Sequence, residues 1–322
     1  MKTRITELLN VKYPIMQGGM QHLGVPRLAA AVSNAGGIGT INITIYPDLD
    51  DFRNAVKEVK SLTDKPFAVN ISLVPELTVG EKTRQYIQIC KEEGVQIIET
   101  AGRSPEDFIK DVKDANIKLI HKCTSVKHAI KAEKIGVDAI TVAGLEVAGH
   151  PGMNEVGTFV LVNAVARAVK IPVLAAGGIA DGRGLVAALS LGAEGVVLGT
   201  RFVASEECDI HQNFKSAIIN SSEEDTILAQ KSIKNMARYL KNTYSLKAVE
   251  LEKEGASLEQ LMPYIAGRNS KNCYVTGNTQ ECVFAIGPAM GLINSVKSVK
   301  EIIDEMIDEA EKEVVRLTNI IK

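Results

Sequence analysis

The sequence predicts an α/β protein built around a (β/α)8 barrel. Three observations carry this. Short apolar runs rich in β-branched residues recur eight times, each followed by a glycine or polar turn and then an amphipathic stretch. The runs read apolar throughout rather than alternating, as parallel strands covered on both faces do. The eight units fall within about 200 residues, and closing them into a ring removes both sheet edges that an open doubly wound sheet would leave exposed.

In chain order the runs are Pro14–Gln17, Ile38–Ile41, Pro66–Ile71, Val95–Glu99, Ile117–His121, Ala139–Val142, Pro172–Ala176 and Gly195–Leu198. Helical stretches are expected between them at Asp50–Leu62, Glu81–Glu93, Ser104–Ala115, Ser125–Ile135, Thr158–Val169 and Gly182–Leu191. After Leu198 the regularity stops. The expected organisation is a TIM barrel over 1–205, an appended and mostly helical lid or substrate subdomain over 206–290, and a C-terminal amphipathic helix over 291–322 packing on the barrel exterior. Within the lid, Asn213–Asn220, Glu223–Asn242 and Ser257–Gly267 read as helical.

Composition narrows the function class. A formal net charge of −2 gives no electrostatic footprint for a polyanion, which argues against nucleic acid as a partner. The five cysteines, Cys90, Cys123, Cys208, Cys273 and Cys282, are scattered and include no CxxC pair, which argues against a zinc site and for a reducing compartment. No apolar run approaches the roughly 18 residues needed to span a bilayer, and the opening MKTRITELLN has no secretory apolar segment. A cytoplasmic protein acting on a small molecule, with no membrane partner, is the expectation.

In such a barrel the chemistry sits at the C-terminal ends of the strands. The unusual polar residues and glycine clusters fall there. The first run ends in Gln17-Gly18-Gly19-Met20, the third reaches Asn70, and the fifth runs into His121-Lys122. The sixth is followed by Gly144 to Gly152, which contains AGHPG, the seventh by Gly177-Gly178 and the eighth by Gly199-Thr200. Paired glycine turns after strands seven and eight form the usual barrel phosphate site, because a backbone without Cβ lets its N–H groups approach an anion. The Gly199-Thr200 turn also opens a helix, whose N-terminus favours a phosphate. The same glycines could serve only to make tight turns.

Lys122 at a strand end could place its cation beside a bound cofactor where negative charge develops, or could make a structural ion pair. Asn70 could read a ring edge through its donor and acceptor, or cap a loop. His150, in its glycine-flanked loop, could contact substrate as acid, base or hydrogen-bond donor, or could simply fix the loop. Strand alternation points His121 away from Lys122. His128 reads as helix surface, and His22 and His211 as loop residues. Cys123 reads as a buried strand-end thiol. Glu146 could orient the His150 loop or be solvated.

On these residues the chain resembles the nitronate monooxygenase family, also described as 2-nitropropane dioxygenase-like. The resemblance covers essentially the whole chain. It rests on YPIMQGGM at 13–20, AVSNAGGIGT at 31–40, DKPFAVNISLVP at 64–75, ETAG at 99–102, IHKCTSVKHAIKAEKIGVDAI at 120–140, AGHPG at 148–152, PVLAAGGIADGRGLVAALSLGAEGVVLGTRFVA at 172–204 and ECDIH at 207–211. Three activities share this scaffold: oxidation of alkyl nitronates with oxygen, NADH:quinone reduction, and NAD(P)H-dependent reduction of enoyl thioesters by enoyl-acyl-carrier-protein reductase II. The segments at 120–140, 148–152 and 177–189 are most similar to the quinone reductase branch. KTRITELL and GTRFVA are also similar to the enoyl reductase. Ala143 stands where related sequences often carry a polar or acidic residue, and Ala148-Gly149 precedes the histidine where the enoyl reductase usually has two glycines.

The resemblance implies FMN as cofactor, with NADH or NADPH as reductant. It implies FMN contacts from Met16, Gly18, Asn70, Lys122, Ala148, Gly149, Ala176, Gly177, Gly178, Gly199 and Thr200. Pro75 matches a position on the nicotinamide side, and His150 matches the family's active-site histidine. The expected substrate is a nitronate, a quinone or an enoyl thioester. A homodimer is expected from the appended subdomain.

Overall fold

The structure, a computed structural model, describes residues 1–73 and 80–322. Eight parallel strands form the core: β1 (Ile15–Gln17), β2 (Gly39–Asn42), β3 (Phe67–Ser72), β4 (Ile97–Ala101), β5 (Lys118–Cys123), β6 (Ala139–Ala143), β7 (Val173–Ala176) and β8 (Gly195–Leu198). Each pairs with its sequence neighbour, and β1 pairs with β8 through Ile15–Val196, Met16–Val197 and Gln17–Leu198. The ring closes between β1 and β2, where Gln17 N donates to Ile38 O at 2.8 Å and Ile38 N to Ile15 O at 2.9 Å. The molecule is therefore the TIM barrel that the sequence predicts, and all eight expected runs are strands.

Helices follow the strands around the outside: α1 (Arg4–Leu9) precedes β1, then come α2 (Pro26–Asn34), α3 (Leu49–Leu62), α4 (Glu81–Glu92), α5 (Ile109–Asp114), α6 (Val126–Ile135), α7 (Thr158–Ala168) and α8 (Gly182–Ser190). The two-residue period of the strands sorts their side chains. Val69, Ile98, Leu119, Ile140, Ala175 and Val196 pack outward in one cluster with the helices. Met16, Ala68, Ile97, Ile120, Ala139, Leu174 and Val197 point inward and form a second cluster with Ile5 and Leu9 of α1. The first helix is thus an apolar plug in the barrel. Thr3 fixes its start, since its hydroxyl accepts from Thr6 N while the Thr6 hydroxyl accepts from Thr3 N.

One step further along the strands the inward positions turn polar: Asn70, Glu99, Lys122 and Thr141. This change of lining is what makes the C-terminal end of the barrel a site rather than more core.

Beyond β8 come the single turn α9 (Thr200–Val203), α10 (Gln212–Ile219), a hairpin of β9 (Thr226–Ala229) and β10 (Ala237–Leu240), then α11 (Thr243–Lys253), α12 (Leu258–Ile265) and α13 (Ser270–Thr276). The appended segment is mostly helical and has its own small core of Ala229, Ala237, Tyr239, Ala248, Leu261, Ile265 and Val283. The hairpin corrects one expectation, because Glu223–Asn242 was expected to be helical. Its strands are four residues each, too short for periodicity to separate strand from helix. Backbone conformation decides the matter: Gln230 and Lys234, in the connection, have φ of 65° and 55°, which no helix accommodates. The long C-terminal helix α14 (Val299–Ile321) buries Val299, Ile302, Ile303, Met306, Ile307 and Ala310 against the barrel's outer helices, α8 foremost. Among the described residues no helix is long and apolar enough to cross a membrane.

Candidate active site

A cavity of ≈ 980 Å³ opens at the C-terminal ends of the strands, at the upper end of the range typical of ligand pockets. Its walls contain Gly18, Asn70, Lys122, Ala148, Gly149, His150, Ala176, Gly177, Gly178, Gly199 and Thr200. Residues from six separated stretches of sequence therefore share one space. Met16 lies deeper, fully buried in the barrel interior, and its side chain does not reach the cavity wall. Pro75 lies outside the described residues.

The turn after β7 has a conformation that needs glycine. Gly177 and Gly178 have φ of 106° and 76°, and a Cβ on Gly177 would come within 2.9 Å of Thr158 Oγ1 and of Val147 N. The Gly178 and Gly199 N–H groups donate to no other group among the described residues, so this cradle is open to an anion, as a phosphate-bearing cofactor requires. The helix after Gly199 is only the four-residue α9, so backbone amides rather than a helix macrodipole make the cradle. Thr200 Oγ1 accepts from Gly287 N at 3.0 Å, which ties the turn after β8 to the last residues of the appended segment.

The floor is polar and cross-linked. Glu99 is completely buried. Its Oε2 accepts from Asn70 Nδ2 at 2.6 Å, its Oε1 accepts from the Thr141 hydroxyl at 3.4 Å, and Lys122 Nζ stands 3.8 Å from Oε1. Asn70 can lie against the backbone of the first turn only because residue 19 is glycine: a Cβ there would sit 2.2 Å from Asn70 Cγ. Sequence reading singled out Asn70 and Lys122 but not Glu99. The available signal was parity, since Glu99 is the one charged residue of the run Val95–Glu99 and shares the inward parity of Ile97.

His150 is exposed to the cavity. Its other sides are crowded by protein atoms, and this burial, with the Lys122 charge, lowers its pKa below the ordinary histidine value. Its loop is held from both ends. Gly149 exchanges two backbone hydrogen bonds with Arg238 of β10. Glu146 Oε2 accepts from the Thr158 backbone N and hydroxyl, both at 2.8 Å, so that side chain anchors the loop to the start of α7. The Arg238 guanidinium donates to Leu145 O and to Thr226 Oγ1. The lid hairpin is therefore built onto the His150 loop. It adds Gln230 and Tyr239 to the cavity wall, two residues that sequence reading missed.

Of the other histidines, His128 of α6 lies on the cavity wall, and three are tied to protein groups. His121 faces away from Lys122 and is hydrogen-bonded through Nδ1 to the Thr100 hydroxyl at 2.8 Å. His211 Nδ1 accepts from Asn213 N at the start of α10. His22 pairs with Gly267 O at 3.2 Å. Burial pushes the Cys123 thiol up to about 12, so it is not a ready nucleophile.

Fold and site together define a barrel enzyme with an anion cradle, a charged floor and a lidded cavity. The nitronate monooxygenase family model matches residues 2–309. The chain belongs to the nitronate monooxygenase family and is an oxidoreductase. A probable nitronate monooxygenase of Staphylococcus saprophyticus is 36% identical over 294 residues, covering 79% of this chain and 82% of the relative. FabK of Thermotoga maritima superposes with a TM-score of 0.92 at 40% identity, covering 99% of both chains. A nitroalkane oxidase of Streptomyces ansochromogenes superposes with a TM-score of 0.83 at 23% identity, covering 97% of this chain and 99% of that one, which speaks for the fold alone.

Proposed function

We propose that the protein is an FMN-dependent oxidoreductase that takes electrons from NADH or NADPH and delivers them to a small quinone-like acceptor. The observation that carries this reading is the meeting of an open backbone anion cradle at Gly177, Gly178 and Gly199 with Asn70, Lys122 and His150 around one cavity. Bound FMN would supply a centre that accepts hydride from one substrate and returns electrons to another. The chain's own residues supply the rest. The glycine turns, with Gly18, Ala148, Gly149, Ala176 and Thr200, hold the cofactor. Lys122 keeps a positive charge at the floor, where negative charge is stabilised without solvent reorganisation. His150, neutral near pH 7, offers one ring nitrogen as donor and the other as acceptor to whatever enters above it.

A second reading, with an enoyl thioester as acceptor, is favoured by the 40% identity to FabK over 99% of both chains and by the apolar lid side chains Ile265, Val283 and Ala285 on the cavity wall. Alkyl nitronate oxidation is the third possibility within the family. One anaerobic experiment separates them. Purified protein is loaded with FMN and mixed with NADH, NADPH or propionate 3-nitronate, and the bleaching of the flavin is followed. The reduced protein is then mixed with a benzoquinone or with crotonyl thioester. Bleaching by a nicotinamide and recovery with quinone is the expected result. Recovery with the thioester alone replaces the first reading by the second, and bleaching by the nitronate alone replaces both. A protein that takes up no FMN overturns the flavin assignment itself.

A further inference from the structure

We propose that Glu99 is a positioning residue that orients Asn70 and Lys122 toward the cofactor and sets how readily that cofactor is reduced. The inference rests on the flavin reading above and deepens it.

Cost is the first argument. Glu99 is 0% exposed on the inward face of the barrel. Burying a carboxylate in a medium of low polarity costs several kcal/mol even after relaxation. One layer below, the same strands place Ala68, Ile97, Ile120 and Ala139 at the inward positions and pack them without difficulty. A residue kept only for packing would be apolar there too.

Its partners are the second argument. Two of the three groups that contact Glu99 also line the cavity. A carboxylate can only accept, so Asn70 must turn Nδ2 toward Glu99. That fixes the amide and leaves Oδ1 as an acceptor for an N–H on the cofactor. The third partner, the Thr141 hydroxyl, adds a donor from the neighbouring side of the ring.

Lys122 is held differently. Its 3.8 Å separation from Oε1 is beyond hydrogen-bond length, so the attraction draws the ammonium inward without using up its N–H groups. The side chain keeps 25% exposure, and that exposure is to the cavity. The carboxylate also offsets part of the ammonium's field, so the pair presents less positive potential than Lys122 would alone. Residue 99 therefore tunes the stabilisation of any negative charge that develops above the floor.

Two substitutions separate position from charge. Glu99→Gln keeps shape but removes the charge. Leaving Lys122 uncompensated should favour the reduced cofactor about tenfold at a fixed solution potential, which is about 30 mV for a two-electron couple. Glu99→Asp keeps the charge but withdraws it by one methylene, out of reach of Asn70. It should weaken FMN binding to the apoprotein at least tenfold while leaving the potential within threefold of the unsubstituted ratio. Binding is read by quenching of FMN fluorescence and the potential by equilibration with a dye of known potential, so neither readout depends on turnover. If Glu99→Gln does not fold, the affinity of Glu99→Asp decides alone. Folded variants with unchanged affinity and unchanged potential overturn the assignment. If the unsubstituted protein itself takes up no FMN, the functional reading fails first and this inference falls with it.

Discussion

Arg238 donates its backbone N–H to Gly149 O at 2.7 Å, and Gly149 returns its own to Arg238 O at 3.1 Å. The loop that carries His150 is thereby a rung of the lid hairpin, and the placement of the histidine depends on a residue 88 positions further along the chain. The Arg238 guanidinium reinforces this with donations to Leu145 O at 3.2 and 3.1 Å and to Thr226 Oγ1 at 2.8 Å. Arg238→Met keeps the backbone rung and the apolar stem but loses the charged hydrogen bonds, each worth roughly 1.5–3 kcal/mol. It should lower kcat/KM for the electron acceptor about tenfold or more, which corresponds to about 1.4 kcal/mol, and leave FMN affinity within about threefold because the phosphate cradle is built elsewhere. Steady-state kinetics alongside FMN titration tests this. Equal losses in both quantities would mean that Arg238 supports the whole rim rather than the His150 loop.

His150 gives a pH prediction whose sign follows from its surroundings. Burial first, and the Lys122 charge second, favour the neutral ring. The group therefore stays neutral through pH 7 and takes up a proton only below the ordinary histidine pKa of about 6.5. Acceptor turnover should be level from neutral pH upward and decline on the acid side of that value. His150→Asn keeps a donor and an acceptor but cannot titrate, so it should remove the acid limb and cost about tenfold at pH 7. The pH profile of kcat/KM for both proteins is the measurement, and an unchanged acid limb in the variant would assign the titration to another group.

What could be read from the sequence follows from how different parts of the chain encode structure. Parallel strands buried on both faces appear as uninterrupted apolar runs, and all eight were legible for that reason. The rim was legible because a barrel fixes which end of each strand faces the site, so Gly177, Lys122 and His150 could be assigned to one surface before any coordinates. The hairpin at β9 and β10 was not legible, since four-residue strands carry too little pattern and the left-handed residues that make the turn are Gln230 and Lys234 rather than glycine. Glu99 was hidden by its setting: as the last polar letter of an apolar run it resembled the end of a strand, whereas the parity of Ile97 places it on the barrel interior. Met16 was named from the family resemblance alone, and its side chain packs in the barrel interior below the cavity wall.

His121 links the outer layer of the barrel to acid stability. Burial, together with the charges of His128 and Lys122, lowers its pKa to about 4. The unfolded chain binds a proton at about 6.5. Between these values the unfolded state holds more protons, so stability is full above pH 6.5, declines as pH falls toward 4 and levels off below. A shift of this size corresponds to a loss on the order of 3 kcal/mol across that window. His121→Gln can keep a hydrogen bond to the Thr100 hydroxyl but cannot titrate. Urea unfolding at pH 7 and at pH 4.5 should show a smaller acid penalty in the variant than in the unsubstituted protein. Identical penalties would exclude His121 as a source of the acid sensitivity.

The docking of α14 rests on the absence of a side chain at Gly182. A Cβ there would lie 2.4 Å from Ala310 N and 2.5 Å from Met306 O, both backbone atoms that can yield only if the helix moves as a whole. Gly182 N also donates to Glu309 Oε2 at 2.8 Å, so the start of α8 and the middle of α14 form a single joint. Gly182→Ala should therefore cost about 1–3 kcal/mol through overpacking, seen as a fall in Tm of several degrees. The final turns of α14 behave differently. No residue from 311 onward is fully buried. Ion pairs such as Lys312 with Asp308 are on the surface, where such pairs are worth about 0–1 kcal/mol, and Glu313, with its side chain 11% exposed, reaches the largely exposed Arg183 of α8 only at 3.9 Å. Truncation after Ala310 should shift Tm far less than the single added methyl group at 182. Calorimetry on the two variants compares them directly. A Gly182→Ala protein as stable as the unsubstituted one would contradict the close approach of α8 and α14, and a truncation that unfolds the protein would move the helix's stabilising contacts to its final turns.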